Sequence, residues 1–177
     1  MLSNIMILLF WVNPGMQNRT LVLNNERSEL SFMITHMGFL TVEGNFGAFD
    51  ASLTMENDYI SQIEGTIQVA SIYTEESTRD ETLKGPVYLD AKRFPTMTFS
   101  SNSILLSTSE NQINGRLRIK SEEREVVIPY QIEHLDTSLI LTAEVLILRS
   151  EFNLDFGAMD QLIGDEIKVS AKLVFVD

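Results

Sequence analysis

Glu166-Ile167-Lys168-Val169-Ser170-Ala171-Lys172-Leu173, continuing into Val174-Phe175, decides how the rest of this chain is read. Ile167, Val169, Ala171, Leu173 and Phe175 fall on one side of a two-residue repeat, and Glu166, Lys168, Ser170 and Lys172 on the other. A period of two sends successive side chains to opposite faces of a strand, so this segment makes a sheet with one dry face and one wet face. The same alternation recurs upstream. Leu30, Phe32, Ile34 and His36 alternate with Glu29, Ser31, Met33 and Thr35, and Ile63, Ile67 and Val69 alternate with Glu64, Thr66 and Gln68. Ile113, Leu117 and Ile119 alternate with Asn114, Arg116 and Arg118. Val126, Ile128, Tyr130 and Ile132 follow, interrupted by Pro129, which cannot donate to a ladder and so marks an edge or a bulge. Turn residues punctuate these runs at Asn24-Asn25, Gly44 to Gly47, Glu56-Asn57-Asp58, Asn111, Ser121-Glu122-Glu123 and Gly164-Asp165. Short antiparallel strands spaced in this way predict an all-β sandwich or barrel.

One region departs from the alternation. Thr74 to Pro95 contains Thr78-Arg79-Asp80, Lys84-Gly85-Pro86 and Phe94-Pro95, and it reads as short helical turns joining two strands, with Thr78 or Asp80 as a cap. No repeat or linker divides the chain, so residues 20–177 form one domain. Residues 1–19 stand apart. Ile5 to Val12 are apolar, yet the first basic residue is Arg19 and Asn13-Pro14-Gly15-Met16 is unlike a small-residue cleavage site. Two readings stay open for this segment: a signal-like stretch, or an upstream extension with Met16 as the true start.

Composition narrows the function. The 25 acidic and 13 basic side chains leave a formal net charge of −12. That charge argues against nucleic acid, which is bound by neutralising phosphates, and against an anionic membrane held through basic clusters. The chain has no cysteine, hence no thiolate ligand or nucleophile. No apolar run reaches the roughly 18–20 residues of a transmembrane helix. His36 and His134 are the two histidines and stand far apart, and no zinc-protease, serine-hydrolase or phosphate-loop pattern occurs. No catalytic residue and no metal ligand is expected. Met33, Met37 and Met55 suit adaptable packing.

Parity assigns Phe32, Ile34, Phe46, Phe99, Leu117 and Ile119 to the interior. Such residues either fill a barrel by packing one another or line a space for one small ligand, and alternation does not distinguish the two. By the same parity His36 points inward, and so does Arg149 at the end of Leu141, Ala143, Val145 and Ile147. A buried Arg needs a partner, for which Asp80, Asp155 and Asp165 are the candidates. His36 and Arg149 either meet a polar head group or serve as a satisfied histidine and an ion pair that staples the barrel end. Arg79-Asp80 reads as a salt-bridged or capped helix start at the mouth, with gating or head-group contact as the alternative.

The order of these motifs resembles the YceI-like family, the lipocalin-like polyisoprenoid-binding domain. Ser28, Phe32 and His36 fit its opening strand, and Val42, Gly44, Phe46 and Phe49 fit its glycine-aromatic turn. Ser71-Ile72, Thr74, Arg79-Asp80 and Leu83 fit its Ser-Ile-x-Thr and Arg-Asp-x-His-Leu segment. Phe94-Pro95, Thr98-Phe99 and Ser101 follow, then Gly115, Leu117 and Ile119, and finally Arg149, Phe152, Gly164-Asp165 and Ile167. Three positions depart from the pattern: Arg27 and Thr82 stand where the family has histidines, and Lys120-Ser121-Glu122 replaces a glycine turn. The resemblance implies an extended antiparallel lipocalin-like barrel of about eight strands, with the helical turns near residues 74–95. It also implies a tunnel for an isoprenoid lipid or quinone-like ligand, and it adds Phe49 and Phe152 to the ligand-binding set. It implies a periplasmic location, or a cytoplasmic one if Met16 is the start, a homodimer, and no cofactor beyond a bound isoprenoid lipid. The second reading is a filled barrel acting as a protein-interaction module.

Overall fold

A computed structural model describes residues 18–56, 59–103 and 112–177. The Ile5–Val12 stretch, the Asn57-Asp58 turn and Asn111 lie outside the described residues. The alternating runs at Glu29–His36 and Ile63–Gln68 become strands, with Val69 passing into a 3-10 turn, and the first strands in chain order are β1 (Asn18–Leu23), β2 (Glu29–His36), β3 (Leu40–Phe46), β4 (Phe49–Glu56), β5 (Tyr59–Gln68) and β6 (Ile72–Tyr73). The later strands are β7 (Thr96–Ser103), β8 (Gln112–Ile119), β9 (Glu122–Leu135), β10 (Ser138–Leu148) and β11 (Ile163–Val176). All pair antiparallel, in the order β1-β4-β5-β7-β8-β9-β10-β11, and β1 returns to β11 to close an eight-stranded barrel. Strand β1 takes in Asn18 and Arg19, so the closing strand starts slightly before residue 20.

Strand β11 makes this closure possible because it is long. Its residues from Ile163 to Lys172 pair with β2, while Phe175 and Val176 pair with Leu23 and Val22 of β1. The strand order then continues past β11 through β2 and β3 to the two-residue β6. On its other side β11 matches β10 in register: Leu141 faces Leu173, Ala143 faces Ala171, Val145 faces Val169 and Ile147 faces Ile167. Equal parity across this pair puts both apolar sets on the inner face.

Pro129 lies on an interior strand, not an edge. β9 sits between β8 and β10, and its ladder to β10 runs from Leu135 to Tyr130 and stops just before the proline. A residue without an N–H therefore stands where one ladder ends. Beyond that point the 3-10 turn Arg149–Phe152 packs against β9.

The irregular region contains one helix, α1 (Ser77–Lys84). Its cap is Glu76, not Thr78 or Asp80: the carboxylate accepts from the Thr78 and Arg79 amides. Those two bonds hold the Glu76 carboxyl below its ordinary range. Asp80 faces inward from the helix and accepts from the Thr74 amide at 2.8 Å and the Thr74 hydroxyl at 2.6 Å. Arg79 donates to the Thr74 hydroxyl and carbonyl, so Thr74 links the two and they form no direct ion pair.

The interior has two apolar clusters. One, at the end closed by β1, is built on Leu21, Leu23, Leu53, Met55, Ile60, Leu139 and Phe175. The other, toward α1, is built on Val69, Ile72, Leu89, Met97, Ile119, Ile147 and Phe152.

Candidate functional site: an apolar lumen with a polar mouth

Above the closed end the barrel is hollow. A cavity of about 620 Å³ runs through it, within the range of roughly 300–1,000 Å³ typical of small-molecule sites. Phe32, Ile34 and His36 of β2, Phe46 of β3, Phe49 of β4, Phe99 of β7 and Leu117 and Ile119 of β8 all line it. Eight of the ten residues picked out from the sequence thus meet around one space. Side chains from β10 and β11, including Leu141, Val145, Ile167 and Val169, complete an almost wholly apolar wall.

Two glycines help keep the space open. A methyl group on Gly44 would lie 2.5 Å from the tip of the Phe32 ring, and one on Gly115 would lie 2.5 Å from the tip of the Phe99 ring. Each ring lies over bare backbone instead of reaching across the lumen. The Phe32 ring also leans on Phe46, with centroids 5.6 Å apart.

Arg149 and Phe152 lie outside the cavity lining. β10 ends at Leu148, and Arg149 opens a 3-10 turn, so strand parity does not extend to it. The guanidinium is buried and spends all five N–H groups within the protein. It donates to the carbonyls of Gly164 (3.0 Å), Leu154 (2.8 Å), Asp160 (3.0 Å) and Ile163 (3.1 Å), and to the Asp160 carboxylate at 2.6 Å. Its partner is therefore Asp160. Asp165 instead accepts from the Ser150 amide and hydroxyl, and Asp155 from the Gly157 amide. The Arg149 hydrogen bond, helped by the Phe156 amide, holds the Asp160 carboxyl below the ordinary aspartate range. Arg149 also covers the Phe156 ring, 5.0 Å from its centroid. Phe152 closes this turn and is fully buried in packing.

The mouth is bordered by α1 and its cap, through Glu76, Thr78, Arg79 and Thr82, and by His36, Val42 and Met159. Thr82, at a family histidine position, turns its hydroxyl to the Thr78 carbonyl at 2.7 Å. Nε2 of His36 is buried and, among the described residues, has no hydrogen-bond partner. A desolvated ring nitrogen of this kind costs roughly 1–3 kcal/mol unless something else meets it. Sequence reading missed Tyr88, Leu89, Leu154, Phe156 and Met159, all of which line the cavity from irregular segments that carry no periodicity. His134, at the far end of β9, is exposed. No group of three or more metal-ligating side chains occurs among the described residues.

Comparison with solved structures places this architecture. BcnA of Burkholderia cenocepacia superposes with a TM-score of 0.79 at 24% identity, covering 86% of this chain and 98% of that one. A polyisoprenoid binding domain from Saccharophagus degradans matches at 0.75 with 13% identity, over 88% and 97% of the two chains. The Campylobacter jejuni YceI protein matches at 0.72 with 22% identity, over 81% and 90%. Among curated sequences, protein YceI of Salmonella arizonae is 29% identical over 101 residues, which are 56% of this chain and 53% of that protein. The chain thus spans about half the length of the curated relatives it matches. The model of the YceI-like domain matches residues 21–175, from the closing strand β1 to the end of β11, and the chain belongs to the YceI-like family.

Proposed function

We propose that this protein binds one long apolar molecule, an isoprenoid lipid or a quinone-like compound, inside the barrel, and carries or buffers it without altering it chemically. The observation that carries the reading is the 620 Å³ lumen, apolar along its length, with one unpartnered ring nitrogen near its open end. The polyisoprenoid binding domain that shares the fold supports the ligand class.

The physics suits such a guest. Each buried methylene is worth roughly 0.8 kcal/mol, so ten give about 8 kcal/mol, near a micromolar constant before ordering costs. A hydrocarbon tail asks for no hydrogen bonds, and the wall offers few. His36 is the natural contact for a single carbonyl, hydroxyl or phosphate on the ligand head. Arg149 has no N–H left to give a ligand, so its role is to hold the loop 149–163 together.

Organic extraction of protein purified from its native host, followed by mass spectrometry, tests the proposal. A prenyl chain is expected in the extract, and Phe32→Trp or Leu117→Trp should abolish it by filling the lumen. An empty extract from folded protein that also fails to take up added prenol would end the carrier reading and favour an interaction module. Replacing His36 with Ala should leave tail binding within a few-fold, whereas general acid–base catalysis would fall by about 10²–10⁴.

A further inference from the structure

Beside the mouth, one lip is studded with large apolar side chains that face water. Phe39 is 77% exposed, and Met37, Leu40, Met159 and Leu162 are each 40–47% exposed. They form a continuous rim: the Met37 amide donates to the Leu162 carbonyl, and Ile163 pairs with His36. Met37 and Gly38 both have positive φ, at 54° and 76°, at the central positions of a turn closed by the Phe39 amide on the His36 carbonyl, within the three-residue connection from His36 to its partner Leu40. Asn, Asp or Gly is favoured at the first of those positions, so a methionine there sacrifices backbone comfort to present a long apolar side chain.

The charge distribution says what this rim fits. Residues 36–41 carry no Asp, Glu, Lys or Arg, and residues 156–163 carry only Asp160, which is paired with Arg149. This is an uncharged collar on a chain of net charge −12. α1 and its approach, which also border the cavity, carry Glu75, Glu76, Asp80 and Glu81 against Arg79 and Lys84, and Glu81 is paired with Lys84. An uncharged apolar collar on a chain of net charge −12 has no basic cluster with which to hold an anionic surface and suits an uncharged or zwitterionic one. Met159 belongs to both the rim and the cavity lining, so the collar runs directly into the lumen.

We propose that this collar docks on the uncharged surface of a lipid bilayer, so that a tail passes between membrane and barrel without crossing water. The inference builds on the carrier reading but is tested separately. Vesicles of pure phosphatidylcholine are floated with the full chain, with the double variant Phe39→Ser/Leu40→Ser, with Leu162→Ser and with Phe32→Trp. The wild type should float, the two collar variants should lose about five-fold or more of the bound fraction with unchanged circular dichroism, and Phe32→Trp should float normally. Adding phosphatidylglycerol should weaken wild-type binding. Equal flotation of wild type and collar variants, as when the apolar Ile5–Val12 stretch carries the attachment, overturns the proposal, and so does failure to float at all. A concentration-dependent dimer that Phe39→Ser/Leu40→Ser dissolves, without vesicle binding, reassigns the collar to a second copy. Flotation without any extractable or added lipid in the lumen sinks the carrier reading and leaves the docking site standing.

Discussion

The two ends of this barrel are made from the same kind of strand, yet one is solid and the other hollow. At the closed end Leu53, Met55 and Phe175 are 0–1% exposed, and none of them borders the cavity. Toward the mouth, Phe32 and Phe46 remain only partly buried because they face open volume. The difference does not come from hydrophobicity, which both ends share. It comes from where the aromatic rings can lie. Phe175, where β1 meets β11, packs into its neighbours, while Phe32 and Phe99 lie over glycines on adjoining backbone. A large side chain beside a glycine lines a space, and the same side chain facing Leu and Met fills it.

The widest separation between the two ends should appear when each loses a ring. Phe175→Ala opens a cavity in full packing and should cost about 3–5 kcal/mol, read as a lower urea midpoint at an unchanged m-value. Phe32→Ala enlarges a space that already exists, so it should cost less than about 2 kcal/mol while altering which tail lengths the protein takes up. Equal destabilisation of the two variants would mean that the lumen collapses in solution.

Next comes the staple that holds the loop 149–163. Arg149→Met leaves the carbonyls of Leu154, Ile163 and Gly164 without their donor and should cost about 2–3 kcal/mol. Acid should imitate it in part. Because the folded-state pKa of Asp160 is lowered, its contribution is present above the unfolded aspartate range and is lost as the pH falls through that range toward the folded value. Proteolysis within residues 153–162 should therefore speed up below about pH 4, and Asp160→Asn should remove that pH dependence. A loop equally resistant at pH 3 and pH 7 would sever this link.

A third change tests the glycine argument itself. Gly44→Ala pushes a methyl against the Phe32 ring and the Thr74 methyl, which are side chains that can move. The ring should swing into the lumen at a stability cost of about 1 kcal/mol, the low end for overpacking. Losing the space of about two methylenes should weaken tail binding roughly fifteen-fold. Gly115→Ala should be worse for stability, because its methyl also meets the Ser100 carbonyl oxygen at 2.8 Å, a backbone atom that cannot step aside.

Legibility in the sequence followed the same divide. Strands were readable because Glu29 to His36 and Glu166 to Leu173 repeat every two residues and each buries one face. Parity therefore placed Phe32, Ile34, His36, Phe46, Phe99, Leu117 and Ile119 on the wall, and the family resemblance added Phe49. It failed at Arg149 because regular pairing ends at Leu148, and a 3-10 turn rotates the next side chain away from the strand's alternation. The Asp160 partner was hidden for a related reason. Choosing among neighbouring carboxylates depends on the path of an irregular loop, with a left-handed residue at Asn153. Alternation alone left sandwich and barrel open, since β1 meets β11 through only two residue pairs, and it was the family resemblance that gave the eight-stranded barrel. The void was least legible, because Phe99 looks the same in sequence whether it crosses the lumen or lies over Gly115.

The smallest expected effect lies at the β8–β9 turn, where Lys120 opens the Lys120-Ser121-Glu122 segment that replaces a glycine turn of the family pattern. Lys120 has φ 55°, a conformation that costs a residue with a Cβ roughly 1 kcal/mol, so glycine would relieve the strain. Glycine would also free the unfolded chain, which costs roughly 0.4–1 kcal/mol, and would delete the Lys120 Nζ bond to the Tyr88 carbonyl. That 2.9 Å bond is worth about 1 kcal/mol, so the three contributions partly cancel and Lys120→Gly should lower global stability by no more than about 1 kcal/mol. Locally they do not cancel. Tyr88 lines the cavity and belongs to the loop after α1, and the lysine bond ties that loop to the barrel. Amide exchange at Tyr88, Leu89 and Asp90 should therefore quicken, and a bound tail should leave sooner, while exchange at Leu53 and Phe175 stays unchanged. Faster exchange at both ends would show that the solid and hollow halves unfold as one unit, and the contrast between them would then be one of packing alone.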